Sequence, residues 1–547
     1  MIKQRFKSSF SENTFLRKYA QGQNDTWGAL CERVVEDVCG TRWGTLSPLM
    51  SKDDQKQLIQ YMKDFKFIAG GRYLYYAGRE YKAYNNCYLL RAEVDTREEW
   101  ANICYRAMSC LSSGGGIGVD YSILRPKGRP LKRTGGVASG PIPLMQAVNE
   151  IGRNVMQGGS RRSAIYASLN WQHEDIPDFL KAKNWSDEVR EAKGRDFNFP
   201  ATLDMTNISV NYDDASLEGG LQNNPIFLEN VRQAMMSGEP GFSFNFGDKQ
   251  NETLRNACTE VTSEDDSDVC NLGSINMGNI QSLEEFHAVV TLGSKFLVCG
   301  TLRADLPYEK VYQVREKNRR LGLGLMGIHE WLLKRNYSYE VVPELHKWLK
   351  VYKNESERSA NEHCDRLYLS RPAAYRAIAP TGTIGILAAT TTGIEPIFAV
   401  AYKRRYLVDG TRWKFEYVVE SVADHLIKEY GLDPDKIETA YHLSNDYERR
   451  IKFQADVQDY VDMSISSTIN LPAWGSKGNG EGNVQSFANV LAKYATRLRG
   501  FTCYPDGSRG GQPLTEVPYH EAVAHKGTVY EEADICDITG KGGTCGV

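Results

Sequence analysis

The chain has 547 residues, 41% hydrophobic and 25% charged, the balance of a globular protein with a large core rather than a disordered or fibrous one. Its net charge of −3 speaks against a general nucleic-acid-binding surface. No apolar run approaches the ~20 residues that span a bilayer and no early segment has signal-peptide form, so the twelve irregularly spaced cysteines are expected in a cytoplasmic protein, reduced unless chemistry oxidises them.

Residues 1–65 read as a helical region. Leu16, Tyr19 and then Leu30, Val34, Val35 and Val38 recur at helical spacing between charged residues. Thr96, three residues before Glu99, predicts a capping box and a helix running toward Gly114-Gly115-Gly116. Helical patterns near 141–157, 226–237, 283–303, 342–366, 413–430 and 484–498 then alternate with strand-like runs at 208–211, 242–245, 376–379 and 464–469. That alternation predicts an α/β protein with a largely parallel sheet, over residues 66–514. From about 515 the periodicity ends, and 515–547 reads as a mobile tail. Cys31, Cys39, Cys104, Cys110, Cys299 and Cys364 read as small core residues.

Several segments carry chemistry. Arg255-Asn256-Ala257-Cys258-Thr259-Glu260 holds an amide, a thiol and a carboxylate at alternate positions, which an extended segment or loop tip could turn to one substrate. Cys270 follows in Asp268-Val269-Cys270-Asn271-Leu272, and Cys87 lies far upstream after Asn85-Asn86. An isolated Cys-x-Glu is more often structural than catalytic. A thiol flanked by an amide and a base, with two further thiols able to form a disulfide, suits radical reduction of a sugar hydroxyl.

Pro380-Thr381-Gly382-Thr383-Ile384-Gly385 joins a strand-like run to an apolar stretch, and its hydroxyls, glycines and backbone N–H groups suit an anion. A lone Thr-Gly-Thr is more often a plain turn. Thr134–Pro141 is a glycine-rich turn before a helix and Gln157–Ala164 a basic loop after it; by themselves both are also compatible with ordinary solvated loops. The tail carries Cys536 and Cys545, which without a nearby histidine make half of a tetrahedral zinc set.

Together these motifs resemble the large catalytic subunit of ribonucleotide reductase, most closely its adenosylcobalamin-dependent form, over roughly residues 65–515 plus the tail cysteines. The resemblance implies a ten-stranded α/β barrel of two antiparallel five-stranded halves with a central finger loop, beside the N-terminal helical region. It implies that Cys258 becomes the thiyl radical that takes the C3′ hydrogen, Glu260 the base for the 3′-hydroxyl and Asn256 the amide on the sugar hydroxyls. Cys87 and Cys270 match the reducing pair, whose Cα atoms must come within about 7 Å to close a disulfide. Thr381, Gly382, Thr383, Ile384 and Gly385 would hold the phosphates of a ribonucleoside di- or triphosphate. Thr134, Gly135, Ser139, Gly140, Gly158, Gly159, Ser160, Arg161 and Arg162 would bind a deoxynucleotide effector. Cys536 and Cys545 resemble shuttle cysteines served by a thioredoxin- or glutaredoxin-like reductant, although relatives space theirs Cys-x-x-Cys. Asn85-Asn86 stands where many members have small hydroxyl residues. It resembles the monomeric branch, while the other motifs resemble the dimeric one; a homodimer is expected.

The radical source is read the same way. Reductases with a separate metal subunit carry two adjacent tyrosines near the barrel's end, where 499–509 here holds Tyr504 alone. The tail lacks the Arg-x-x-Gly-Tyr of glycyl-radical relatives. Tyr504-Pro505-Asp506-Gly507-Ser508-Arg509 resembles the adenosylcobalamin class. No Asp-x-His-x-x-Gly motif occurs, so no protein side chain is expected on the cobalt. The alternatives are the same reaction with a radical from a ferritin-like partner, and an inactive nucleotide-binding regulator. The presence of Cys258, Glu260 and both reducing cysteines speaks against the last.

Overall fold

The computed structural model describes residues 6–41, 47–156, 162–196, 198–408, 412–507, 514–525 and 529–531. The N-terminal region forms helices Ser9–Lys18, Trp27–Cys39 and Lys52–Lys63. Each begins at a hydroxyl cap, as Ser8, Thr26 and Ser51 accept from the backbone N–H three residues on. Leu30, Val34, Val35 and Val38 are wholly buried, as their spacing predicts. The first helix turns Phe15 inward and leaves Leu16 exposed. Its buried stripe runs Ser11, Phe15, Tyr19, and Phe15 meets the edge of Trp27, which stacks on Phe65. Thr96 caps Arg97–Ser112, but Glu99 turns to Arg106 and the Glu93 N–H, so only half of the capping box forms.

The strands in chain order are β1 (Phe67–Ala69), β2 (Cys87–Arg91), β3 (Gly116–Asp120), β4 (Ile165–Asn170), β5 (Thr206–Tyr212), β6 (Gly241–Phe244), β7 (Leu254–Arg255) and β8 (Thr262–Ser263). They continue as β9 (Asp268–Asn276), β10 (Leu321–Met326), β11 (Ala401–Val408), β12 (Arg412–Val419), β13 (Thr468–Leu471), β14 (Gly500–Pro505), β15 (Leu514–Glu516) and β16 (Val529–Glu531). Strands β2 to β6 pair in parallel in chain order. β9 and β10 are parallel, as are β13 and β14. β2 meets β9 antiparallel and β6 meets β14 antiparallel, while β1 lies antiparallel on β9. Bridges Leu323–Arg376 and Ile378–Ile465 join β10 to the stretch before β13, so the ladder returns on itself as a barrel.

Three stretches differ from their sequence pattern. The 376–379 run makes isolated bridges, and the 464–469 run becomes a regular strand only from Thr468. The helix expected over 413–430 occupies Ser421–Tyr430, because residues 412–419 alternate charged with aromatic side chains at period two and form β12. The segment from 515, read as a mobile tail, begins with regular structure: β15 and β16 flank the β11–β12 hairpin as a four-stranded sheet, with helix Tyr519–Ala524 beside it. Cys31, Cys39, Cys110, Cys299 and Cys364 are buried and Cys104 half-buried. Among the described residues no helix is long and apolar enough to cross a membrane.

Candidate active site

The segment with Cys258 is the tip of a finger. β7 and β8 form a short antiparallel ladder, Leu254 opposite Ser263 and Arg255 opposite Thr262. Arg255 anchors its base: the buried guanidinium donates to Asn245 Oδ1 at 2.7 Å, the Arg499 carbonyl at 3.1 Å and the Leu254 carbonyl at 3.0 Å. Burial, then the neighbouring Arg499 charge, brings its pKa down to about 9. The finger rests on β3, which has glycine at the contacts. A Cβ on Gly118 would lie 1.7 Å from the Arg255 carbonyl oxygen, and one on Gly116 would lie 3.2 Å from Ala257 Cβ. At the tip, the Thr259 N–H donates to the Asn256 carbonyl at 3.0 Å, with Thr259 held at φ 68°. The alternate positions thus meet through a tight turn rather than an extended run.

Cys87 and Cys270 face each other directly across the β2–β9 pair. Residues so placed have Cα atoms about 4.5–5.5 Å apart, within disulfide reach. Both are buried, as are Asn256 and Glu260, whereas Cys258 is exposed. Asn256 Nδ2 donates to Cys87 Sγ at 3.0 Å while its Oδ1 accepts from the Val261 N–H at 3.0 Å, so one amide locks the turn and touches the thiol. The Cys87 thiol points to Glu260 Oε1 at 3.8 Å, and the Cys270 thiol to the Asn271 carbonyl at 3.3 Å. Glu260 Oε2 is buried without a hydrogen-bond partner among the described residues.

These contacts set protonation. Burial pushes the Glu260 carboxyl up to about 7, against the Asn256 hydrogen bond that pulls it down. Burial, then the Glu260 charge, pushes the Cys87 thiol well up; burial, then the Asp268 charge, does the same at Cys270. Both are therefore held as neutral S–H groups beside a carboxyl poised near neutrality, with an exposed thiol on the outer side.

The barrel links this centre to the predicted anion segment. The Ser464 N–H donates to the Glu260 carbonyl at 2.9 Å, and the Ile378 N–H to the Ser464 carbonyl at 3.1 Å, three residues before Thr381. Helix Gly382–Ala388 follows. Thr381 is occupied structurally, its hydroxyl accepting from the Gly393 N–H at 2.8 Å. Ile384 and Gly385 are buried, and a Cβ on Gly385 would lie 2.7 Å from Thr392 Cγ2. Gly382 is exposed with nothing among the described residues within 4 Å of an added Cβ, and Thr383 Oγ1 accepts from Lys18 Nζ at 3.4 Å.

The two predicted effector segments flank helix Ile142–Asn154. Thr134 and Gly135 sit exposed at a hairpin tip closed by the Pro130–Val137 bridge. Ser139 is exposed, while Gly140 is buried at φ 79° against Asp175. Arg162 is exposed; Gly158, Gly159, Ser160 and Arg161 lie outside the described residues, as do Cys536 and Cys545.

Sequence reading missed the ionic base of the finger. Glu252 accepts from Thr262 at 2.8 Å and Arg499 at 3.0 Å, and Arg320 binds Asp268 at 2.7 Å, two residues before Cys270. Burial works to raise the Glu252 pKa, but the charges of Arg499, Arg320 and Lys249 together bring it down to about 2. No local motif marks these residues, because Arg320 and Arg499 come from distant elements.

A family model described as "Ribonucleotide reductase, barrel domain" matches residues 85–233, 231–347 and 368–497. A vitamin B12-dependent ribonucleoside-diphosphate reductase of Mycobacterium tuberculosis is 25% identical over 92% of this chain and 80% of its own length. A protein of the same name from Thermoplasma acidophilum is 27% identical over 83% of this chain and 65% of its own length. A putative adenosylcobalamin-dependent ribonucleoside-triphosphate reductase of Mycobacterium phage D29 is 25% identical, covering 74% of this chain and 68% of its own length.

Proposed function

This chain belongs to the ribonucleotide reductase barrel family, and from that premise we propose that it reduces ribonucleotides to deoxyribonucleotides with adenosylcobalamin as its radical source. The observation that carries the reading is the direct opposition of Cys87 and Cys270 beneath a finger that brings Asn256 and Glu260 to the same buried spot. The cofactor assignment is supported by the names of the relatives.

The residues present fit such a cofactor. Cys258 is the exposed member of an otherwise buried set, and β14 borders the finger tip, since a Cβ on Gly500 would come within 3.6 Å of Thr259 Oγ1. At the end of β14 Asp506 and Gly507 are exposed, with nothing among the described residues within 4 Å of an added Gly507 Cβ. Cys258 would face the group, and the β14 end Tyr504–Gly507 would border it by the resemblance of its sequence to the adenosylcobalamin class. When bound, adenosylcobalamin supplies homolytic chemistry that leaves an unpaired electron on a neighbouring thiol.

The protein's own residues do the rest. Cys258 Sγ takes the C3′ hydrogen of the ribose and returns it at the end. Glu260, whose Oε2 has no hydrogen-bond partner among the described residues, takes the 3′-hydroxyl proton. Cys87 and Cys270, kept as S–H by burial, give up two hydrogens between them as the C2′–OH becomes C2′–H and water leaves. Their sulfurs then close into a disulfide, so atoms and electrons balance. Asn256 orients Cys87 and the sugar hydroxyls. Residues 381–385 receive the phosphates of a di- or triphosphate, the exposed Gly382 and half-buried Thr383 foremost.

Further parts of the reading complete the cycle. Cys536 and Cys545 carry electrons in from a thioredoxin- or glutaredoxin-like protein. A deoxynucleotide effector binds around 134–140 and 158–162. The working unit is a homodimer, a reading supported by Tyr105, Met108 and Val137, apolar and exposed near the effector segments.

The deciding experiment measures deoxynucleotide formation from CDP and CTP with dithiothreitol, with and without adenosylcobalamin. Turnover only with the cofactor, abolished in Cys258→Ser with nucleotide binding intact, is expected. Turnover without it would reassign the radical source, and turnover by Cys258→Ser would end the mechanism.

A further inference from the structure

We propose that Lys18 is a further phosphate ligand of the substrate nucleotide, the cation that meets its terminal phosphate. The inference rests on the reading that residues 381–385 receive the phosphates. Those five residues carry no charged side chain. A di- or triphosphate held there gains from a cation brought by another element, and the N-terminal helix brings one.

Helix Ser9–Lys18 lies along helix Gly382–Ala388 and is fixed there at two points. The Ser11 hydroxyl donates to the Ile386 carbonyl at 2.7 Å, and Lys18 Nζ reaches Thr383 Oγ1 at 3.4 Å. Ser11 and Lys18 are seven residues apart, two helical turns, so both face the same neighbour. The helix cannot roll freely, because Phe15 between them is buried against Trp27. Lys18 is itself exposed, as is the adjoining Gly382.

At 3.4 Å a threonine hydroxyl is a weak partner for an ammonium. A phosphate oxygen at the same place makes a shorter, charge-assisted bond. Lys18 therefore acts on substrate affinity and not on the radical steps, since it touches only the phosphate end.

The test uses the full chain with adenosylcobalamin and dithiothreitol, with CDP and CTP as probes. Lys18→Met keeps the aliphatic stem and removes the charge. It is expected to raise KM for the nucleotide that the wild type reduces by about tenfold, the size of a lost charge-assisted bond. kcat should stay within about twofold, as for an interaction made equally in ground and transition states. Lys18→Arg should recover most of the affinity, and Arg17→Met, which removes the adjoining exposed charge, should leave KM near wild type. An unchanged KM in Lys18→Met overturns the proposal, as does an equal loss in Arg17→Met or a fall confined to kcat. Calorimetric binding of CDP and CTP to the cofactor-free chain gives the same comparison without turnover. A wild type that binds but does not reduce nucleotide overturns the proposed reaction and leaves Lys18 to be judged by binding. A wild type that binds neither overturns both.

Discussion

At Glu260 the proposed role of base and the stability of the fold pull in opposite directions. Burial lifts its carboxyl to about 7, so the base form that takes a proton gains population as pH rises through neutrality. Turnover should therefore rise with pH across roughly 6 to 8, and Glu260→Gln should remove both the activity and that limb. The stability effect has the opposite sign. An unfolded glutamate ionises near 4.5 and the folded one near 7, so the folded state binds the proton more tightly. The stability this contributes is fully present below 4.5 and is lost as pH rises through 7, a loss on the order of 3 kcal/mol by pH 8. Glu260→Gln should thus unfold at nearly the wild-type temperature at pH 4.5 and above it at pH 8. Equal thermal midpoints for the two proteins at pH 8 would show that burial is not what perturbs this group. The motif named Asn256, Cys258 and Glu260 from residue types alone, but their different fates were not legible in it. One thiol is exposed and two side chains are buried because the Asn256–Thr259 turn separates positions that an extended run would align.

Among the elements, the pairing of β2 with β9 does most to define the site. Cys87 and Cys270 lie 183 residues apart in sequence, and their opposition is fixed by antiparallel register. Quenching a single turnover without external dithiol should leave these two joined, as peptide mass spectrometry would reveal; two free thiols after product has formed would exclude them as the reductant. The finger depends on β3 in the same way. Gly118→Ala places a methyl where the Arg255 carbonyl stands, and backbone on both sides leaves no side chain to move aside. Turnover should fall by at least about tenfold, the cost of displacing a reacting group by an ångström or less, while the far-ultraviolet circular dichroism is retained. Wild-type activity in that variant would mean the finger does not rest on β3 as described. β9 itself was hard to read, since every residue is buried yet Asp268, Asn271, Ser274 and Asn276 are polar. Their partners, among them Arg320, Tyr73 and the Phe65 carbonyl, come from elsewhere in the chain. β12 was missed for a simpler reason: its period-two pattern runs straight into the period of helix Ser421–Tyr430, and one helical window spans both.

For the whole molecule, the proposed cycle separates one turnover from many. If Cys536 and Cys545 ferry electrons to the buried pair, Cys536→Ser or Cys545→Ser should form the first equivalent of deoxynucleotide at the wild-type rate. Later turnovers driven by thioredoxin should then slow by about tenfold or more, because only exchange with the buried disulfide needs the tail. A slowed first turnover would place these cysteines in the chemistry instead. The assembly has its own check. Mass in solution, with and without deoxynucleotide, should report a two-fold dimer, and a strict monomer that still changes base preference would exclude an effector site completed by a partner.

The sequence by itself determined the chemistry available, since the thiols, the amide, the carboxylate and a glycine–hydroxyl segment suited to an anion are recognisable from residue types and short spacings. It also determined most helices, because a buried helical face repeats within a dozen residues and is local information. Tertiary structure decided which thiol is exposed and which pair can join, and it gave Glu260 its raised pKa. It also set Lys18 against Thr383, 365 residues away in sequence. Burial, strand register and electrostatic environment depend on groups brought together from distant parts of the chain, and no local window contains both partners.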